Sequence, residues 1–226
     1  MGGRLEHILL NAPYPVRMLA ANLKSWQLDR MRRGGDWDSY LAQNRFERYF
    51  EMSWREIEEE QNRRLQALVA AAIHYVPFYR NQKDRLPVVT STNDLRAFPT
   101  LCKSQALRAG QLLLHETLIA KSHYTGHTSG TTGTPFTFKM TLDALRTRFA
   151  MRDNFYLFHG CDAKDPSLRL GGRLFMSVSR KKPPFWLVDH VTNQLMFSLY
   201  HMSDETLELF LEPLAKYAPV FVTGYP

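Results

Sequence analysis

Cysteine is scarce in this chain. Cys102 and Cys161 are the only two, and their wide separation matches no metal-ligand spacing. A disulfide framework and a structural zinc site are both excluded. Long apolar runs are missing as well: no stretch approaches the roughly 20 residues that cross a bilayer, so no membrane span is expected. The opening "MGGRLEHILLNAPYPVRMLAANLKSW" breaks its apolar patches with charges and prolines and does not have the form of a signal peptide. Its Met-Gly start places Glu6 where a myristoylation signal carries Ser or Thr. A reducing cytoplasm is the expected compartment.

Acid is the scarcer charge. Asp and Glu number 22 against 29 Lys and Arg, a formal net charge of +7. Such a balance invites a nucleic-acid partner, but the basic residues are dispersed. Only "RMRR" (Arg30–Arg33) and "RKK" (Arg180–Lys182) are tight clusters, and neither interleaves the aromatics and glycines of a single-strand binding face. Nucleic acid is therefore not an expected partner; solvated faces and counter-charge for an anionic ligand account for the excess. No internal repeat or low-complexity tract is present. An apolar fraction of 44% with 12% aromatics excludes disorder, and 226 residues suffice for one large domain or two small ones.

What the chain does contain falls into two textures. Residues 1–88 read as a helical region. In "FERYFEMSWREIEEEQNRRLQALVAAAIHYV", Ile57, Leu65, Leu68, Val69 and Ala72 recur near one helical face, and Pro77 ends the helix by pushing its predecessor out of helical geometry. "STNDLRAFP" and "LCKSQALRAGQLLLHE" read as short helices with Ser/Thr capping candidates. From Lys121 strands alternate with helices. "SHYT" is extended, "FTFKMT" alternates as a half-buried strand does, and Thr141 caps a helix that Gly160 closes. "LRLGGRLFMSVS", "NQLMFSLYHMS" and "PVFVTGYP" read as further strands, with a helix from Ser203 through Tyr217. The expectation is an α/β fold: the helical region 1–88, then a partial domain over 89–226 with an incomplete, mainly parallel sheet flanked by helices. A last strand without its following helix leaves an apolar edge, and self-association is expected.

The densest signal is "HTSGTTGTPF" (His127–Phe136). A polar hairpin turn needs two permissive residues, and this loop spends far more. Glycine lets backbone approach a ligand closely, consecutive N–H groups form an anion nest, and hydroxyls add uncharged donors. Thr128, Ser129, Gly130, Thr131, Thr132 and Gly133 are the candidate phosphate-binding residues. Other phosphate and hydrolase motifs fail: no lysine follows Gly133 as in a P-loop, Gly-x-Gly-x-x-Gly is absent, and Ser129 stands one place too late for a nucleophile elbow.

"TSGTTGTP" closely resembles the phosphate-binding signature of the adenylate-forming superfamily of acyl- and aryl-CoA ligases. Within it the chain is most similar to the phenylacetate–CoA ligase branch and its capsular-polysaccharide-biosynthesis relatives. "HYVPFYR" (His74–Arg80), "FPTLCKSQALR" (Phe98–Arg108) and "FSLYHMSDETLELFLEPLAKYAPVFVTGYP" (Phe197–Pro226) follow in the family's order, so the likeness runs from about Glu47 onward. It implies the fold of that family's N-terminal domain. The implied ligands are a small-molecule carboxylate and ATP with Mg2+, joined as an acyl-adenylate, with coenzyme A as a thiol acceptor. Many members carry lysine after the proline, where this chain has Phe136. The family's adenine, ribose and catalytic-lysine elements fall beyond Pro226, and this chain alone is expected not to form acyl-adenylate; no catalytic residue is assigned within it. A non-catalytic nucleotide-binding relative, or an assembly partner in polysaccharide synthesis, is the alternative.

Near the loop, His123 and His127 are candidate phosphate donors, each equally suited to a structural hydrogen bond. Glu116, Asp143 and Asp153 read as solvated helix-surface acids, Lys121 and Lys139 as surface residues. The aromatic-rich helix around Phe149–Phe158 is either core or the wall of an acyl pocket.

Overall fold

The computed structural model describes residues 2–118, 123–128, 136–172 and 174–224. The fold is α/β, and the chain groups into two compact units: Met1–Asn44 with Phe149–Pro226, and Arg45–Arg148.

The first unit begins with helices α1 (Gly2–Asn11), α2 (Tyr14–Arg33) and α3 (Trp37–Gln43). Asp36 caps α3 by accepting from the Ser39 N–H at 3.2 Å. The unit's sheet comprises β3 (Ser167–Gly171), β4 (Trp186–Asp189), β5 (Gln194–Ser198) and β6 (Phe221–Gly224), in the order β4-β5-β3-β6. β5 and β6 both run parallel to β3, whereas β4 runs antiparallel to β5. Helix α8 (Glu208–Tyr217) makes the crossover between β5 and β6. One sheet face packs Leu168, Leu195 and Phe197 against Phe210 of α8, with Met176 and Phe185 completing the core. The other face meets α2, which holds the end of β4: Asn22 donates to the Val188 carbonyl at 2.9 Å and accepts from the His190 N–H at 2.7 Å. β5 is buried along most of its length, as a central strand covered on both faces must be.

The second unit carries α4 (Trp54–Tyr75), α5 (Pro77–Arg80), α6 (Lys103–Ala109) and short 3-10 turns, then a two-stranded sheet of β1 (His123–His127) and β2 (Thr137–Thr141). Ser53 and Glu56 close a capping box at the start of α4. Val76, extended at φ −109°, ends it before Pro77 as the proline rule predicts. The helix α7 (Leu142–Phe158) follows β2; Thr141 caps it at 3.1 Å and Gly160, at φ 76°, closes it.

Several expectations need correction. The strands do not share one mainly parallel sheet: β1 and β2 form a separate antiparallel pair, and the larger sheet is mixed. The reason is local. A chain that returns through one loop pairs antiparallel directly, whereas parallel pairing needs a long crossover. β4 lies in a stretch that carried no strand expectation. α8 begins at Glu208, after a run of turns from Ser203. α6 is capped by Cys102 and Gln105 rather than by Ser or Thr, with the Cys102 N–H donating to Gln105 at 2.9 Å. Leu68, placed on the apolar face of α4, is 67% exposed.

Candidate functional site

The phosphate-loop candidate hangs from the β1–β2 hairpin. His127 pairs with Thr137 at the last rung, and the His127 Nδ1 lies 3.0 Å from the Thr137 Oγ1. One step further the neck closes twice: the Thr128 N–H donates to the Phe136 carbonyl at 2.9 Å, and the Phe136 N–H donates to the Thr128 Oγ1 at 3.0 Å. Thr128 thus spends an oxygen lone pair on the neck and keeps its hydroxyl proton for another acceptor. Ser129, Gly130, Thr131, Thr132 and Gly133 lie outside the described residues, as does Lys121.

Gly126 explains how the neck is braced. It faces Phe138 across the ladder, and a Cβ built on it would meet the Phe138 ring at 2.4 Å. The ring covers the glycine, an arrangement that stiffens a glycine-bearing strand.

The flanking candidates separate. Lys139 is exposed on β2, and Asp143 is exposed at the start of α7. Glu116 is exposed but engaged, receiving two hydrogen bonds from Arg80 at 2.6 and 2.8 Å. The guanidinium beside it holds its carboxyl below the usual range. Asp153 overturns its expectation: it is 4% exposed and accepts from Arg33 at 2.7 Å and from Arg152 at 2.7 Å. Burial here is possible because both oxygens are paired. Phe155 and Phe158 are about half exposed and do not belong to the core.

Cavities missed by sequence reasoning lie elsewhere. In the second unit a cavity of about 400 Å3 is lined by Phe78, Tyr79, Leu101, Leu112, Gln105 and Arg108. Its apolar wall with one guanidinium suits a carboxylate with an apolar body. In the first unit, β3 and β6 end side by side, and Arg169–Gly171 with Thr223–Gly224 line about 230 Å3 at their carboxyl ends. That is where parallel sheets commonly take ligands. The first position emerges only where α5, α6 and the turn after α6 come together, and the second only from the pairing of β3 with β6. Among the described residues no group of three or more His, Cys, Asp or Glu is arranged to hold a metal ion, and no helix is long and apolar enough to cross a membrane.

The chain is similar to Protein CapK of Staphylococcus aureus, with 32% identity over 98 residues. The match spans 43% of this chain and 22% of that protein's length. No family model and no solved structure matches the chain.

Proposed function

We propose, taking the similarity to Protein CapK as premise, that the chain is the N-terminal part of an ATP-dependent adenylate-forming ligase acting in capsular polysaccharide biosynthesis in the cytoplasm. Residues 89–226 are its partial nucleotide-binding domain. The observation that carries this reading is the "TSGTTGTP" loop set on an antiparallel hairpin whose neck is closed by Thr128 and Phe136. Thr128 offers its hydroxyl, and Ser129, Gly130, Thr131, Thr132 and Gly133 their backbone N–H groups and hydroxyls, to the phosphates of ATP. The free hydroxyl proton of Thr128 fits a phosphate oxygen. Mg2+ bound with the nucleotide would neutralise charge on its phosphates. The cavity beside Arg108 is suited to the carboxylate. One carboxylate oxygen attacks the α-phosphorus, the bond to the bridging oxygen breaks, and pyrophosphate leaves. Coenzyme A is the thiol that then attacks the acyl carbon; the bond to the adenylate oxygen breaks, and AMP leaves with the thiol's proton released. Both partners of the first step are anions, so positioning and charge neutralisation are the work the protein must do.

Pyrophosphate with magnesium is the test ligand. Calorimetric titration should give saturable binding that Gly133→Val weakens most, because a β-branched residue opposes close approach and positive φ. Thr131→Val and Thr132→Val should each cost about 1 kcal/mol of binding, the value of one hydrogen bond, or about fivefold in Kd. Binding left unchanged by all three substitutions rules the loop out as the phosphate site.

A further inference from the structure

A second cluster of buried donors lies at α2, away from the loop. Arg17, in the second turn of α2, is 2% exposed. Its Nε and both terminal nitrogens are buried and meet no hydrogen-bond partner among the described residues. Arginine stays charged in proteins, so this is a buried cation with its donors idle. Buried charges are ordinarily paired, because an uncompensated one is costly.

Among the described residues the neighbourhood adds positive charge and brings no carboxylate to Arg17. Arg180 acts on Arg17 by repulsion and is anchored there by donating to the Ala12 carbonyl at 3.3 Å. His201 feels both arginines. Its Nδ1 sits 2.7 Å from the Ser198 Oγ, its ring stacks on Phe185, and its buried Nε2 meets no partner at hydrogen-bonding geometry. The Ser177 carbonyl is nevertheless close enough to favour the charged ring. The Tyr14 ring lies 5.7 Å from the Arg17 guanidinium and closes one side. The start of α2 has no side-chain cap and no acid in its first turn, so the positive end of a 20-residue helix adds to the same field.

We propose that Arg17, Arg180 and His201 form a buried binding site for a phosphate-class oxyanion. Two guanidinium groups and an imidazole, in the field of a helix N-terminus, match a dianion better than a monovalent carboxylate, and a tetrahedral ion offers an oxygen to each of the three side chains. The site belongs to the unit that contains the four-stranded sheet and does not rest on the Thr128–Gly133 loop. Its occupant is a free inorganic ion or the phosphate of a small monoester, which share the chemistry that Arg17 reads.

The test uses the whole chain in thermal unfolding and calorimetry, titrated with inorganic phosphate, with glycerol 3-phosphate, and with chloride at matched ionic strength. Phosphate should raise the unfolding midpoint saturably where chloride does not. A stronger response to glycerol 3-phosphate also supports the site and identifies a monoester as its occupant. Arg17→Met should weaken the apparent phosphate affinity at least about tenfold, as expected for loss of charge-assisted hydrogen bonds. The paired Thr131→Val, Thr132→Val variant should keep the response, which separates this site from the loop. Should Arg17→Met not fold, Arg180→Gln decides, with a smaller but clear weakening. The proposal is overturned if phosphate acts no differently from chloride, or if the wild type and the arginine variants respond alike.

Discussion

In the unit formed by Met1–Asn44 and Phe149–Pro226, Leu195, Phe197 and Phe210 are no more than 3% exposed. In Arg45–Arg148, the helix α4 runs 22 residues without a buried side chain. The buried apolar residues of that unit, among those described, are Val89, Ala106 and Leu145. Trp54, Leu68 and Val88 meanwhile stay 78%, 67% and 84% exposed. The first unit is held by a core, and the second by caps and surface pairs: Ser53 with Glu56, Ser91 with Asp94, and Arg80 with Glu116. Caps fix where helices start, but they contribute little to cohesion compared with burial. The hairpin that carries the phosphate loop thus stands in the more weakly cored half.

The largest expected effect breaks the comparison at its strong side. Phe210→Ala removes the ring that Phe185, Trp186 and Phe197 surround, and should cost about 3–5 kcal/mol in urea unfolding. Leu68→Ala on α4 should stay within about 0.5 kcal/mol. Equal shifts for the two would mean that α4 is covered and that the contrast is false. Hydrogen exchange should show the amides of α4 opening before those of β5.

A smaller break concerns charge. Asp153→Ala takes from Arg33 one of its two carboxylate partners and leaves it Asp29 and the face of the Trp37 ring. With side chains 6% and 10% exposed, the loss should be about 3 kcal/mol, near the lower end for splitting a buried pair. Glu116→Gln, at an exposed pair, should leave the unfolding midpoint unchanged within error. A Glu116 effect as large as that of Asp153 would remove the distinction between the units.

The same division explains what could be read from the sequence. Pro77, Thr141 and Gly160 act within a turn of their own position, so the end of α4 and both ends of α7 were legible. β4 was not. Its approach, "RKKPPF", reads as loop, and its hairpin to β5 turns without glycine. There Asp189 accepts from the Val191 and Thr192 N–H groups and from the Thr192 and Ser25 hydroxyls, while Asn193 takes φ 51°. Ser25 lies far upstream, and nothing local announces it. Asp153 was misjudged for the same reason, because its partner Arg33 arrives from α2. Periodicity gave α4 an apolar face but could not supply a surface for Leu68 to pack on. Of the candidate site, the "TSGTTGTP" pattern and its flanking strands were legible, since both are contiguous. The Arg17 cluster, assembled from α2, the segment before β4 and the turn after β5, was not.

The smallest effect is a slope with pH, and it sharpens the comparison by reporting on the sheet unit alone. His201 is held below the ordinary histidine value of 6.5, first by burial and also by Arg17 and Arg180, against the Ser177 carbonyl, which raises it. The unfolded chain therefore binds a proton at this residue more readily than the folded one. Its contribution is fully present above about pH 6.5 and is lost as pH falls through the lowered folded value. His201→Gln should remove that part of the slope, so that the stability curves of variant and wild type converge or cross as pH falls below about 6.5. Saturating phosphate should flatten the wild-type slope as well, because a bound anion offsets the two arginines and lets the folded state take up the proton. Glu60 and Asp94, half-buried in the other unit and held at about 2 by Arg63 and by the N–H groups of Thr90 and Ser91, lose their contribution only as pH falls below the ordinary carboxylate range. Parallel curves for wild type and His201→Gln over that interval would show that the buried imidazole is not the group being titrated.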